Sequence, residues 1–298
     1  QNLQGIRQHS LYESLRAVSS DIQGNLHLLN SSSTQDFVSK LLEVCEEISA
    51  KQIFAMEAFD PAGINEQEEV GKQLAAKGIQ LKLVGSAYAV RPGTVRKPDG
   101  TNYRVYTPFF KAWANLAEVK PFALPTAAIW LKLSQSRDIP KPTKDSPIRV
   151  IAGEAFALRT FARFRKRALD SYDEQRNRAD LSGTSHLSHA LAHGEIHPRT
   201  LLDKLGDSSA HEVFRKEIAW REFYADVLFH YPHTVDDYYE PRFKKLRYDS
   251  GATAKKNFEA WCKGETGFPM VDAGMRQLLA EGWMHNRVRM IAVSYTHL

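Results

Sequence analysis

The chain has 298 residues, 43% hydrophobic and 25% charged, with 40 Lys and Arg against 35 Asp and Glu for a net charge of +5. That size builds one large core or two medium ones, with two domains the better expectation; no run approaches the roughly 18 unbroken apolar residues of a membrane span, and no secretory leader is read at the start. Two cysteines, Cys45 and Cys262, exclude a disulfide framework and a cysteine metal site and fit a reducing compartment, so a cytoplasmic protein with no membrane partner is expected.

The basic excess is spread evenly: 22 Lys and Arg face 20 Asp and Glu from residue 151 onward, and 18 face 15 before it. Charge therefore permits a polyanionic partner without arguing for one. In chain order, Ile6, Leu11, Leu15 and Val18 recur at helical spacing, and residues 31–34 form a loop that caps a second helix through Phe37, Val38, Leu41 and Leu42. Residues 51–55 (KQIFA) predict a short buried strand, 66–77 a charged helix ended by Gly78, and 79–84 (IQLKLV) another strand. Helices alternating with short apolar strands predict a parallel sheet with helical crossovers, and a start on a helix implies that the first strand of this α/β unit is missing. Residues 96–107 hold a turn at Asp99-Gly100 and a strand at 103–106, without a phosphate loop or GxGxxG. Prolines then multiply (Pro121, Pro125, Pro140, Pro142, Pro147), predicting an interdomain linker over 108–150. After Gly153, Ala155, Leu158, Phe161, Phe164 and Leu169 keep a 3.6 period with Arg163, Arg165, Lys166 and Arg167 outside, and no strand follows, so 151–298 is expected to be all α.

Three segments concentrate chemistry. Residues 183–200, GTSHLSHALAHGEIHPRT, set Thr184, Ser185 and Ser188 at an expected helix N-terminus, where free amides and the dipole favour an anion such as a diphosphate; simple capping is the plain alternative. His186, His189, His193 and His197 follow on that helix at spacings of 3, 4 and 4, but no carboxylate or cysteine is read as completing a shell, so no metal is expected. Residues 214–230, FRKEIAWREFYADVLFH, align Glu217, Trp220, Arg221 and Tyr224 on one stripe of an otherwise apolar helix. Such a stripe faces an internal partner or a cavity, or else holds a buried Glu217–Arg221 ion pair with Trp220 as filler. Residues 266–290, TGFPMVDAGMRQLLAEGWMHNRVRM, predict a helix that opens near Pro269 and Asp272 and stops at Gly282. A second helix follows in which Asn286, Arg289 and Met290 share a face, as a pocket wall or as ordinary core. Nothing matches a nucleophile elbow, a paired-carboxylate hydrolase or a kinase set.

In this order and spacing, GTSHLSHALAHGEIHPRT, EIAWREFY, AWCKGETGFPMVDAGMRQL and EGWMHNRVRM closely resemble the photolyase and cryptochrome family of blue-light flavoproteins, and NYRVYTPFFKAW at residues 102–113 resembles the end of that family's antenna domain. The likeness covers nearly the whole chain and is strongest over 153–294. It implies a partial Rossmann-like α/β antenna domain over 1–107 and a partial helical FAD- and DNA-binding domain over 151–298. It implies FAD folded into a U, with Tyr172, Thr184, Ser185, His186, Leu187 and Ser188 around it and Arg221 and Arg289 beside it. Glu217, Trp220, Asn286 and Met290 would line the cavity for a flipped pyrimidine dimer, with Trp220 stacking on it. Arg176, Tyr224 and Arg287 would hold the DNA, the two arginines through flanking phosphates.

The implied activity is light-driven repair of cyclobutane pyrimidine dimers in UV-damaged DNA, a carbon–carbon lyase reaction in which excited reduced FAD lends the dimer one electron. A cryptochrome-like blue-light sensor is the alternative. Trp220 followed by Arg-Glu-Phe-Tyr, and Met290 closing Asn-Arg-Val-Arg-Met, are most like class I cyclobutane-dimer photolyases. Tyr248, in KLRYDSG, stands where many members carry the outermost tryptophan of the photoreduction chain, which implies an electron-transfer role. Residues 59–70, FDPAGINEQEEV, lack the arginines often found at the antenna site, so a folate or deazaflavin antenna chromophore is left open. The family continues well past Met290, implying a fragment truncated at both ends, with impaired FAD binding and repair. A monomer, nucleoid-associated if bacterial, completes the expectation.

Overall fold

The computed structural model describes residues 2–117, 120–123, 129–134, 138–140 and 151–296, with the side chains of 2–6, Ile6 among them, outside the described set. Helix α1 (Asn2–Asp21) opens the chain. It does not pack by the expected apolar stripe: Leu11 is 45% exposed while Ser10 and Ser14 are 4% and 7% exposed. The two serine hydroxyls are buried because they meet polar partners, His189 and Glu195. Helix α2 (Thr34–Glu47) is capped by Ser33, which accepts from Asp36 N, and it buries Val38 and Cys45.

Strands β1 (Gln52–Met56) and β2 (Gln80–Val84) pair in parallel, Gln52 opposite Gln80 and Met56 opposite Val84. The crossover is α3 (Pro61–Ala75), which starts earlier than the sequence pattern implies because Asp60 caps it and Pro61 takes the first position, where no amide is needed. Val38, Cys45, Val70, Leu74 and Ile79 form the small core of this α/β unit. The strand expected at 103–106 does not form. An isolated antiparallel bridge, Arg96 with Asn102, closes the Asp99-Gly100 turn, and Tyr106 already opens α4 (Tyr106–Leu116).

Helix α4 also corrects the start of the expected linker. Pro108 sits in its first turn, where proline is tolerated, and Phe109 and Trp113, one turn apart, are fully buried in the main core. Of the remaining linker, residues 118–119, 124–128, 135–137 and 141–150, with Pro125, Pro142 and Pro147, lie outside the described residues.

The rest is helical: α5 (Glu154–Arg167), α6 (Tyr172–Gln175), α7 (Ser188–Ala192), α8 (Pro198–Leu202), α9 (Ser209–His230), α10 (Gly251–Lys263), α11 (Pro269–Glu281) and α12 (Asn286–Tyr295). The chain is thus an α/β unit followed by an all-helical one. Helix α9 runs through the main core, where Phe214, Ile218, Ala219 and Phe223 meet Phe109, Trp113, Phe161 and Phe164. A separate core of Val271, Met275, Met284, Val288 and Ala292 joins α11 to α12. Among the described residues, no helix is long and apolar enough to cross a membrane.

Candidate functional site

Helix α9 presents Glu217, Trp220 and Tyr224 along one side. Glu217 pairs with Arg176 at 2.6 Å and not with Arg221, so the alternative of an intrahelical ion pair is not realised. The Arg176 guanidinium lies 5.7 Å over the Tyr172 ring, which stands edge-on to Phe164 and Phe214 in the core. Burial, and then the Glu217 carboxylate, push the Tyr172 phenol up to about 12, against the pull of Arg176 and Arg287. Arg287 Nε donates to Asn177 Oδ1 at 2.8 Å, and its Nη1 reaches Met290 Sδ at 3.3 Å. A tight reversal supports this edge. Gly282 takes the left-handed conformation (φ 66°) that ends α11, and His285 Nδ1 caps α12 by accepting from Arg287 N at 3.2 Å. Asn286 and Met290 are exposed on α12 beside Arg287.

Trp220 differs from expectation in one respect. Its ring is stacked on Tyr106 at 3.6 Å and 8°, with Tyr224 following at 5.6 Å, so at most one indole face remains for a ligand. Tyr106 is held by its hydroxyl donating to Lys216 O at 2.7 Å, and burial raises its pKa. Sequence reasoning missed Tyr106 because it assigned that residue to a strand. The aromatic run NYRVYTPFF was the available signal.

The hydroxyl-rich segment is built differently from the expected capped helix. Helix α7 begins only at Ser188, and its N-cap, Leu187, offers no side-chain hydrogen bond. Only His189 of the four histidines lies inside α7; His186 precedes it in a left-handed conformation (φ 53°), His193 follows it, and His197 caps α8. Ser185 Oγ accepts from Leu187 N at 3.4 Å, and the buried Thr184 Oγ1 has no partner. Two cavities flank this segment. One of about 460 Å³ is lined by Thr160, Arg163, Arg167, Ser182, Thr184 and Ser185. The other, about 490 Å³, is lined by Phe156, Leu187, Ser188, His189, Glu281 and Trp283, among others, and His186 borders both while stacking on Trp283 at 3.9 Å. A cavity lined by two arginines and an unpaired buried hydroxyl fits an anionic group such as a diphosphate. Arg163 and Arg167 are exposed, as the sequence pattern predicts, and they border this cavity as well.

Tyr172, Arg221 and Arg289 line neither cavity. Tyr172 is core, for the packing reason given above. Arg221 donates to Ala87 O at 3.0 Å and Leu191 O at 3.2 Å and lies 4.6 Å over the Tyr88 ring. Arg289 points outward beside Met290, Val293 and Ser294. Tyr248 is exposed, and its hydroxyl shares a 2.5 Å hydrogen bond with that of Tyr238.

Sequence reasoning also missed Glu222 and Asp226. Glu222 is 2% exposed and accepts from Ala89 N (2.5 Å), Val90 N (3.0 Å) and Trp113 Nε1 (2.6 Å). Asp226 accepts from Gly93 N at 2.7 Å. Arg199 of α8 adds a bond to Ala89 O at 2.9 Å, so the segment between β2 and α4 is bound to both α8 and α9. Two carboxylates at i, i+4 on a buried helix were the signal, since buried charge demands partners.

A family model described as DNA photolyase matches residues 1–127, and one described as the FAD binding domain of DNA photolyase matches residues 214–297. The deoxyribodipyrimidine photo-lyase of Alkalihalophilus pseudofirmus is 32% identical over 285 residues, covering 91% of this chain and 58% of that protein. Its namesake in Agrobacterium fabrum is 33% identical over 312 residues, covering 98% and 64%. The chain therefore spans 58% to 64% of the length of these relatives. Among solved structures, a class III photolyase from Agrobacterium tumefaciens superposes with a TM-score of 0.85 at 31% identity, covering 98% of this chain and 63% of that one. A cryptochrome from Synechocystis gives 0.76 at 23% identity, covering 97% and 63%, a likeness of fold.

Proposed function

The chain belongs to the DNA photolyase family, and from that premise we propose that its activity is light-driven repair of cyclobutane pyrimidine dimers in UV-damaged DNA, with FAD as cofactor. The observation that carries the proposal is the buried, unpaired Thr184 hydroxyl set beside Arg163 and Arg167 in a cavity that meets a second one at His186. When bound, FAD supplies the light-excited donor of a single electron. Arg163, Arg167, Thr184 and Ser185 would hold its diphosphate, while Leu187, Phe156 and Trp283 would keep water from the adjoining cavity.

Glu217, Trp220, Asn286 and Met290 receive the extruded lesion, and Tyr224 extends their aromatic edge. Arg176 and Arg287 place positive charge where the flanking phosphates pass, with Arg176 exchanging part of its pairing to Glu217 for a phosphate. Two carbon–carbon bonds of the cyclobutane ring break and two pyrimidines are restored, with no net oxidation. The Tyr248–Tyr238 pair, exposed and hydrogen-bonded, is a route for electrons from solvent. The Trp220-Arg-Glu-Phe-Tyr run favours cyclobutane dimers as substrate, and the protein acts as a monomer.

The test is DNA carrying a defined dimer, incubated with FAD-loaded protein and reductant under blue light and in the dark. Restored pyrimidines in the light alone support the proposal. Dimers left intact in both would overturn it in favour of a light sensor.

A further inference from the structure

We propose that His189, His193 and Glu195 form a site for a divalent cation of zinc type, with its remaining position open to the cavity of about 490 Å³ that all three line. One ligating atom from each residue lies within 4.8 Å of the others. His189 Nε2 and His193 Nδ1 are 3.0 Å apart, whereas two nitrogens on a tetrahedral zinc stand roughly 3.3 Å apart, so a few tenths of an ångström convert their hydrogen bond into a shared ion. Glu195 Oε2 lies 3.8 Å from Nδ1, the opposite nitrogen of the His189 ring, and only one of the two ring nitrogens takes the ion. Two imidazoles and a carboxylate are the donor set of zinc sites that keep one position for water or an anion, and imidazole nitrogen disfavours magnesium and calcium.

The sequence places the carboxylate only two residues past His193, yet its relevance depends on a backbone reversal. Gly194 takes φ 71°, and Glu195 N donates to Ala190 O at 2.8 Å, which folds the carboxylate back under the histidines. Glu195 is 8% exposed, and among the described residues its ion-pair partner is His189. A buried carboxylate needs a charged partner, and a dication supplies one.

Outer support is already in place. Ser14 Oγ donates to Glu195 Oε1 at 2.6 Å, which fixes the carboxylate and leaves Oε2 toward the histidines, while Ser10 Oγ contacts His189 Nε2, the nitrogen that faces His193, and gives way to the ion there. These are the two serines that replace apolar residues on the buried face of α1, so the ion ties α1 to the turn after α7. The site stands on residues separate from Arg163, Arg167 and Thr184, and its test does not depend on flavin.

The experiment titrates chelator-stripped protein with Co²⁺, followed by competition with Zn²⁺. One equivalent should produce the visible bands of tetrahedral nitrogen–oxygen coordination, and Zn²⁺ should abolish them. His189→Ala and His193→Ala should each weaken binding by about 10- to 100-fold or more, and His233→Ala should leave it unchanged. His193 is exposed, so its variant folds, and a Zn²⁺-dependent rise in Tm should be present in the parent and lost in His193→Ala. Absence of saturable one-to-one binding, or equal affinity in the two site variants and the parent, would overturn the proposal.

Discussion

Trp220 and Tyr172 show how far single residues were legible. The stripe of Glu217, Trp220 and Tyr224 follows from helical spacing alone, but the partner that occupies one Trp220 face, Tyr106, comes from a segment more than a hundred residues earlier. If the other face stacks on the lesion, Trp220→Ala removes roughly 1–3 kcal/mol of base stacking and weakens binding to dimer-containing DNA more than to intact DNA. Competition binding with both duplexes checks this; equal losses would count against stacking. Tyr172 gives a pH signature. Its phenol is raised from 10.0 to about 12 in the fold, so the stability it contributes is complete below pH 10 and disappears as pH rises through 12. Tyr172→Phe should therefore lose about 2–3 kcal/mol less stability than the parent over that window, read from urea midpoints at pH 9 and pH 12. Parallel curves for the two proteins would show that the phenol is not buried as described.

At the scale of elements, α11 and α12 were readable because their ends carry local signals. Pro269, Gly282 and the Asp272 carboxylate, which accepts from Thr266 N at 2.8 Å and Gly267 N at 2.9 Å, each act within a few residues. Their mutual packing is tighter than the pattern discloses. A Cβ at Gly274 would overlap Val288 and come within 3.5 Å of Met284 Sδ, so Gly274→Ala places a methyl group where α12 lies. The helical preference for alanine returns up to about 1 kcal/mol, but overpacking costs about 1–3 kcal/mol, and the variant should be destabilised with faster amide exchange in residues 286–295. Unchanged or higher stability would show that α12 gives way freely. Helices α4 and α7 were misjudged for opposite reasons: Pro108 suggested a break that the burial of Phe109 and Trp113 overrode, and GTSHLSH suggested a cap that left-handed His186 prevents.

Across the whole molecule, α9 joins the α/β unit to the helical one through Glu222, Asp226 and Arg221. Glu222→Ala leaves three N–H donors without their acceptor, at about 1–3 kcal/mol for each, so a loss of about 3 kcal/mol or more is expected. Urea unfolding measures the loss, and proteolysis should open residues 85–93 first. A loss below about 1 kcal/mol would mean that the bonds are replaced by water. By itself the sequence determined the order of an α/β unit and a helical one, both strands, the ends of α11 and the stripe on α9, because periodicity, caps and turns act over a few residues. Tertiary structure alone decided that Arg163 and Arg167 face a cavity, that Arg221 holds backbone, that Tyr106 covers Trp220, and that Glu195 turns back beneath His189 and His193. Those outcomes depend on which surfaces meet across the chain, and burial and charge compensation select them only once the elements are packed.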